Sequence, residues 1–533
     1  MHGLSWLRSR EIKFAGVVTI SVVLLRMWFG LRSSFCGTPD ACTYLALAES
    51  LSRHQGFRVN FVYQYQFISA HLPMHGIEYW RPGASFIMLL AQPFGGVTLH
   101  SSLVVTIFMG VLLAAAAWRI AMDFSGDPKI ACSSYLLCLV LPPLWNGSLQ
   151  PDSTLYYGVF AAWFLALFRA KFDSYFKDAL AWFCLAILNL IRNDTILMLL
   201  PLATVLWMRH RTPGRRGASP AYLSLVIVAF FAAMIPMSLV SNLVMHKVSP
   251  GATYQSLYVT DISELTNYGY SLNLHSMLTK GIRALISVRA AALPMIVYRI
   301  LFLLIGCGAI FLPALAVRRS GGQRSALPEM SGGIAFAVAL IAVYGLVLPG
   351  IGTFSALRSF TGLLPLTAVL ITIAIGWVAN DGAVRRRIVA TVFLFYLIAG
   401  LMEDRRDLSD MNAIGDRDRQ VAAFIEARGE SAATGSVIMT ADPAQFSETT
   451  GLSAIPIPNN GSEAIRQAVL DLQPGEVLLD RKQVQSIEDD LCFKFKTSEL
   501  EPVSGTDSFL VPARVFAISM GQWSSATKCP KQE

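Results

Sequence analysis

The sequence predicts a polytopic α-helical membrane protein of about eleven transmembrane helices, followed by a small extracytosolic α/β domain. Three observations predict it. Of 533 residues, 54% are hydrophobic and only 15% charged, where a soluble chain carries about a quarter charged residues. The apolar residues come in long blocks, and the mean hydropathy is +0.51. Past residue 402 the composition changes and charges become frequent.

Spans of about 20 apolar residues, with shorter ones tolerated inside a bundle, place helices at 14–30, 97–120, 129–145, 153–169, 178–191, 194–208, 220–244, 292–317, 331–350, 361–379 and 388–402. The first follows Arg8, Arg10 and Lys13 but precedes no small-x-small cleavage site. It reads as an uncleaved helix with a cytoplasmic N-terminus. Basic residues then fix the orientation: Arg119 and Lys129; Arg169, Lys171 and Lys177; Arg209, Arg211, Arg215 and Arg216; Arg318, Arg319 and Arg324; Arg385, Arg386 and Arg387. With eleven spans all of these loops fall on the cytoplasmic side, where Lys and Arg are retained during insertion. The net charge of +8 therefore belongs to membrane loops, and no nucleic-acid partner is expected.

The opposite face carries a first loop (31–96), a second (245–291) and the tail (403–533). In the first loop "ASFIMLLAQPFGG" is too short to span and suits an interfacial helix. In the tail, "SVIMT" (436–440) and "EVLLD" (476–480) have strand character, and "SEAIRQAVLDL" (462–472) is helical; their alternation predicts the α/β domain. Cys132, Cys138, Cys184 and Cys307 sit in apolar runs as packing residues. Cys36 and Cys42, and Cys492 and Cys529, lie on the extracytosolic side, where disulfides form; sequence leaves their pairing open.

Several charges gather at the outer ends of the spans. "TPDACTYLALAES" (38–50) puts Asp40 just past the first helix and adds Tyr44. "LQPDSTLYY" places Asp152 before the fourth span, "NLIRNDTILM" sets Arg192 and Asp194 at the tip between the fifth and sixth, and "FSALRSFTGLLP" opens the tenth with Arg358. Singly, each has a plain explanation: Asp152 as a helix N-cap, Arg192 and Asp194 as a mutual pair. Together they read as a site, because charge at membrane depth is costly and faces a cavity or a partner. A carboxylate serves as general base toward an acceptor hydroxyl or amine, and arginine forks onto phosphate oxygens. Such a set suits a lipid-phosphate donor whose head group reacts outside the bilayer. "MHGIEYWRPGASF" contributes Glu78, Tyr79, Trp80 and Arg81. His71 and His75 are too weakly spaced to assign a metal.

These segments resemble the GT-C superfamily of integral-membrane glycosyltransferases, in particular the bacterial branch of protein mannosyltransferases and lipid A aminoarabinose transferases. "PDACTYLALAESLSRHQGFRV" is similar to the family's first-loop pattern. "YWRPGASFIMLLAQPFG" is similar to its basic-Pro-Pro segment, with Gly83 in place of the second Pro. "LQPDSTLYYGVF" and "LIRNDTILMLLP" are similar to its second outer loop and Arg-containing tip, and 437–480 to the extracytosolic domain of members with polyprenyl-phosphate-sugar donors. The resemblance implies that Asp40 is the catalytic base of an inverting transfer and that Asp152 positions substrate or a cation. It makes Arg81, Arg192 and Arg358 candidates for phosphate contact, with Asp194, Tyr44 and Glu78 around the substrate. The family's first-loop acidic pair is here Asp40 followed by Ala41, so no cofactor is assigned and a divalent cation is left open. The partners expected are a polyprenyl-phosphate-linked sugar, membrane lipids, and a glycan, lipid or protein acceptor, in a bacterial inner membrane. The competing reading is a transporter or lipid flippase, for which intramembrane charge near the midplane and a repeat between halves would be needed.

Overall fold

The computed structural model describes residues 10–65, 72–78, 80–168, 175–210, 220–245, 258–269, 273–306, 326–347, 358–378, 381–428, 437–491, 499–513 and 516. His71, Tyr79, Arg169, Lys171, Arg211, Arg215, Arg216, Arg318, Arg319, Arg324, Cys307, Cys492 and Cys529 lie outside the described residues.

Helix α1 (Arg10–Gly30) turns Phe14, Val17, Ile20 and Leu24 outward, an apolar face suited to hydrocarbon rather than water. Next come α2 (Pro39–Ser52), a two-stranded ribbon of β1 (Arg58–Val59) and β2 (Met74–His75), and the short α3 (Gly83–Met88). The bundle continues with α4 (Leu99–Ser125), α5 (Pro128–Val140), α6 (Pro142–Gly147), α7 (Ser153–Leu167), α8 (Tyr175–Ile191), α9 (Leu199–His210), α10 (Pro220–Ala232) and α11 (Ile235–Met245). After α12 (Leu274–Thr279) and α13 (Ile282–Gly306) come α14 (Ala326–Ala342), α15 (Leu364–Val378) and α16 (Gly382–Ala427).

Every apolar block expected from sequence contains helix. Among the described residues four stretches are long and apolar enough to cross a bilayer: Arg10–Gly30, Leu99–Ser125, Ser224–Val244 and Arg358–Gly376. Shorter apolar helices such as Pro128–Val140 and Ser153–Leu167 pack among them, and the chain is a multi-pass membrane protein. Some boundaries differ from expectation for clear reasons. The helix expected over 129–145 stops at Leu141, whose extended ψ of 133° is what a following proline imposes. The segment expected over 388–402 belongs to a single 46-residue helix, α16, so residue 402 lies inside a helix. Beyond it, Met411, Gly415, Asp418, Val421 and Ile425 are buried at helical spacing, the stripe of an amphipathic helix.

That stripe leads into the C-terminal sheet: β3 (Val437–Thr440), α17 (Pro443–Thr450), β4 (Ser453–Pro456), α18 (Ser462–Leu472), β5 (Glu476–Asp480), α19 (Arg481–Leu491), β6 (Glu501–Pro502) and β7 (Ser508–Pro512). The strand order is β4-β3-β5-β7-β6, with β4, β3 and β5 parallel and β7 antiparallel to both its neighbours. Helices α17 and α18 are the crossovers that parallel pairing requires. The strands and helix anticipated in the tail are thus present. The sheet's core is shared: Leu47, Val59, Phe61 and Val62 of the first loop pack with Ile438, Met439, Val477 and Leu510. Val62 N–H donates to the Ala454 carbonyl at 2.9 Å, and Ala454 N–H to that of Asn60 at 3.1 Å. The first loop and the tail therefore form one body over one end of the bundle.

Candidate active site

Asp40 stands in the first turn of α2. Thr38 caps that helix by accepting the Ala41 N–H at 3.2 Å, and Pro39 occupies the position where a missing N–H costs nothing. A Cys36–Cys42 disulfide brackets Asp40, resolving one pairing that sequence left open. Between them Gly37 takes φ +100°, a left-handed conformation that favours glycine, and its carbonyl accepts the Gln445 side-chain N–H from α17 at 2.7 Å. Further back, Asn412 accepts from the Ser34 N–H at 2.9 Å, and Phe35 lies against Gly415. The approach to Asp40 is thus clamped by α16 and α17.

The side chains converge. Arg358 donates to the Asp40 carboxylate, and its Nε lies 3.9 Å from Oδ2 of Asp152. Asp152 sits at the N-cap of α7 yet makes no side-chain cap bond. Its carboxylate accepts instead from the hydroxyls of Ser153 at 3.0 Å and Thr154 at 2.8 Å, so the plain capping explanation fails. Arg192 and Asp194 do pair, at 2.7 Å, but they are not isolated. Asp194 also accepts from Ser359 at 2.7 Å, and Arg192 reaches Ser153 at 3.5 Å. Asp40, Arg358, Asp152, Arg192 and Asp194 therefore form one ionic network, its two central carboxylates buried and the rest half-buried, although they come from α2, the start of the 358–376 stretch, the α7 N-terminus and the α8 tip.

Tight backbone packing sets this geometry. A Cβ on Gly158 would lie 2.5 Å from Thr361 Cγ2, and one on Gly362 2.7 Å from Ala161 Cβ. Helix α7 thereby crosses the segment just after Arg358 and brings it level with Asp152. Gly83 likewise abuts backbone: its Cβ would meet the Leu190 carbonyl carbon at 2.5 Å. That contact explains glycine at this position of "WRPG", since a proline ring would not fit.

The other candidates lie at the margin. Arg81 donates to Asn193 and, at 2.6 Å, to the Asn189 side-chain oxygen, so it grips the end of α8 rather than the carboxylates. Tyr44 is buried, its carbonyl accepts from Ser85 at 2.8 Å, and its ring lies 5.8 Å from that of Trp80. Glu78 ends a 3-10 turn, Gly76–Glu78, and its side chain lies outside the described ones. Sequence reasoning missed Ser359, Ser153, Thr154, Asn189 and Asn193, all direct neighbours or near neighbours of residues it singled out.

The two central carboxylates are driven in opposite directions. Burial pushes Asp40 up, the charge of Asp152 adds to this, and Arg358 only partly offsets it. Burial acts on Asp152 too, but Arg358 and the Thr154 hydroxyl outweigh it and hold that carboxyl below the usual range. A pair split in this way contains one basic carboxylate and one that stays ionised, the pattern of an acid/base site.

No protein-family model matches the chain, and no curated protein matches it. Solved structures do. ArnT from Cupriavidus metallidurans in the apo state superposes with a TM-score of 0.56 at 12% identity, covering 93% of this chain and 97% of that one. The same protein bound to undecaprenyl phosphate gives 0.56 at 12% identity, covering 96% and 98%. This likeness shows the fold: nearly the whole chain adopts the fold of that ArnT.

Proposed function

We propose that this protein is an inverting glycosyltransferase that moves a sugar from a polyprenyl-phosphate donor to an acceptor at the extracytosolic membrane face. The observation that carries the reading is the pair of buried carboxylates, Asp40 and Asp152, with Arg358 between them, in a fold whose solved counterpart binds undecaprenyl phosphate. Asp40 takes the proton of the acceptor hydroxyl or amine. The acceptor's lone pair forms the new bond to the anomeric carbon as the bond to the phosphate oxygen breaks, with inversion. The electron pair leaves on polyprenyl phosphate, whose developing charge Arg358 stabilises, with Arg192 and Arg81 closer to the margin. Asp152 remains ionised and holds Arg358 in place. A divalent cation does not fit this donor set: Arg358 already lies between the two carboxylates, and among the described residues no three His, Cys, Asp or Glu gather.

In this reading residues 1–402 form the transmembrane glycosyltransferase domain with eleven spans and a cytoplasmic N-terminus, and 403–533 the extracytosolic domain, in a bacterial inner membrane. The disulfide beside Asp40 supports that placement, because such bonds persist outside the reducing cytosol. The test is mass spectrometry of envelope glycans and lipids from a strain lacking the gene. A lost sugar, restored by the wild-type gene and not by Asp40→Asn, is expected; donor-lipid movement across liposomes driven by the purified chain, with no covalent product formed, would favour a flippase instead.

A further inference from the structure

A cavity of about 750 Å³ opens between α1, α5, α15 and α16, at the end of α1 away from Asp40. The transfer chemistry makes no use of it. Its wall includes Phe14, Val18, Leu136 and Phe393, and its rim carries Lys129, Arg385 and Arg386 against one carboxylate, Glu11. None of the three cations makes an ion pair among the described residues, unlike Arg192, Arg209 and Arg358. The nearby Asp127 and Asp381 are engaged as helix caps, accepting the N–H groups of Lys129 at 2.8 Å and Ala383 at 2.7 Å. Phe14 is 63% exposed and Leu394 54%, so the cavity is open sideways along its apolar part. The 21 residues of α1 rise about 30 Å, which is the hydrocarbon thickness of a bilayer. If Asp40 lies at one headgroup level, these cations lie at the other.

We propose that this cavity binds an anionic glycerophospholipid of the leaflet opposite the ionic network, with its phosphate on Lys129, Arg385 and Arg386 and an acyl chain along α1 and α16. An apolar slot open to lipid beneath a basic rim fits one chemistry, an acyl chain joined to a phosphodiester. Basic pockets between helices recognise lipid head groups in this way. The proposal does not depend on the transferase reading, since it requires only that the chain spans a membrane.

The experiment is native mass spectrometry of the full chain in mild detergent with equimolar phosphatidylglycerol and phosphatidylethanolamine. The three rim cations outnumber the single rim carboxylate, and with the neighbouring Asp127 and Asp381 lessening the field a preference of about five-fold, one charge's worth, is predicted for phosphatidylglycerol. Arg385→Gln with Arg386→Gln brings the ratio close to one, while the matching Lys pair, which preserves charge and insertion, retains it. Val389→Trp fills the slot and reduces retention of both lipids with the rim intact. The proposal is overturned if the wild type shows no preference, or if the Gln pair retains it. Preferential retention of undecaprenyl phosphate at this slot, or a dimer that excludes lipid from it, overturns it equally.

Discussion

Replacing Arg358 with glutamine strips the cation from two buried carboxylates, and the geometry sets the size of the effect. Arg358 touches Asp40 directly and approaches Asp152 at 3.9 Å; its side chain is 25% exposed, theirs 9% and 6%. Removing one partner of a buried pair costs about 3–5 kcal/mol, and partial access of water to the arginine brings this to about 3 kcal/mol. The variant can recover some of that by binding a proton on the carboxylate pair. Without the guanidinium, the proton affinity of the pair rises. Linkage gives the direction with pH. A folded-state pKa raised above the unfolded value contributes stability at low pH that is lost as pH rises through the raised value. Asp152, held low in the wild type, adds wild-type stability above the unfolded carboxylate value, so both effects widen the gap in the same direction. Thermal unfolding of wild type and Arg358→Gln should therefore differ least at acid pH, where the variant's carboxylate pair is protonated, and most above its raised titration range. Adding Asp40→Asn to Arg358→Gln should return about 2 kcal/mol at neutral pH. A gap that is the same at every pH, or no recovery in the double variant, would refute the ionic network.

Four further outcomes are expected. Because burial and Asp152 both push Asp40 up, transfer should fall on acidification with a midpoint above the usual carboxylate value of about 3.9. Asp152→Asn, by removing the like charge, should move that midpoint to lower pH in whatever activity remains; a pH–rate profile of both proteins checks it. Gly83→Ala forces a methyl to 2.5 Å from the Leu190 backbone and should cost about 1–3 kcal/mol, read as a lower unfolding temperature, whereas Gly95→Ala, which meets nothing within 4 Å but has φ +98°, tests backbone strain alone. Cys36→Ser with Cys42→Ser opens a short loop and should cost about 2 kcal/mol, and dithiothreitol should reproduce the effect in the wild type but not in the variant.

Much of this was legible in the residues. Asp40 stood out because a carboxylate placed just past the first apolar helix is costly without a partner, and the strands expected at 436–440 and 476–480 were readable as short β-type runs alternating with helical stretches. What could not be read was distance. Asp40 and Arg358 are separated by 318 residues, and no local pattern pairs them. Asp152 fits the N-cap pattern well, yet its carboxylate turns to the hydroxyls of Ser153 and Thr154, because a buried charge needs every donor within reach. The continuity of α16 was masked by charges after 402, although Met411, Gly415, Asp418, Val421 and Ile425 already carried the helical period. The shared core of Phe61 and Val62 with the sheet was invisible for the reason that Asp40 and Arg358 were: it is tertiary.

The most direct measurement is release of polyprenyl phosphate from a polyprenyl-phosphate-sugar pool by the purified chain in liposomes, with host envelope extract as acceptor. The wild type should release it, and Asp40→Asn, folded and inserted to the same level, should be slower by about 100- to 10,000-fold. Equal rates from the two proteins would contradict the assignment of Asp40 as base and, with it, the chemistry built on the network.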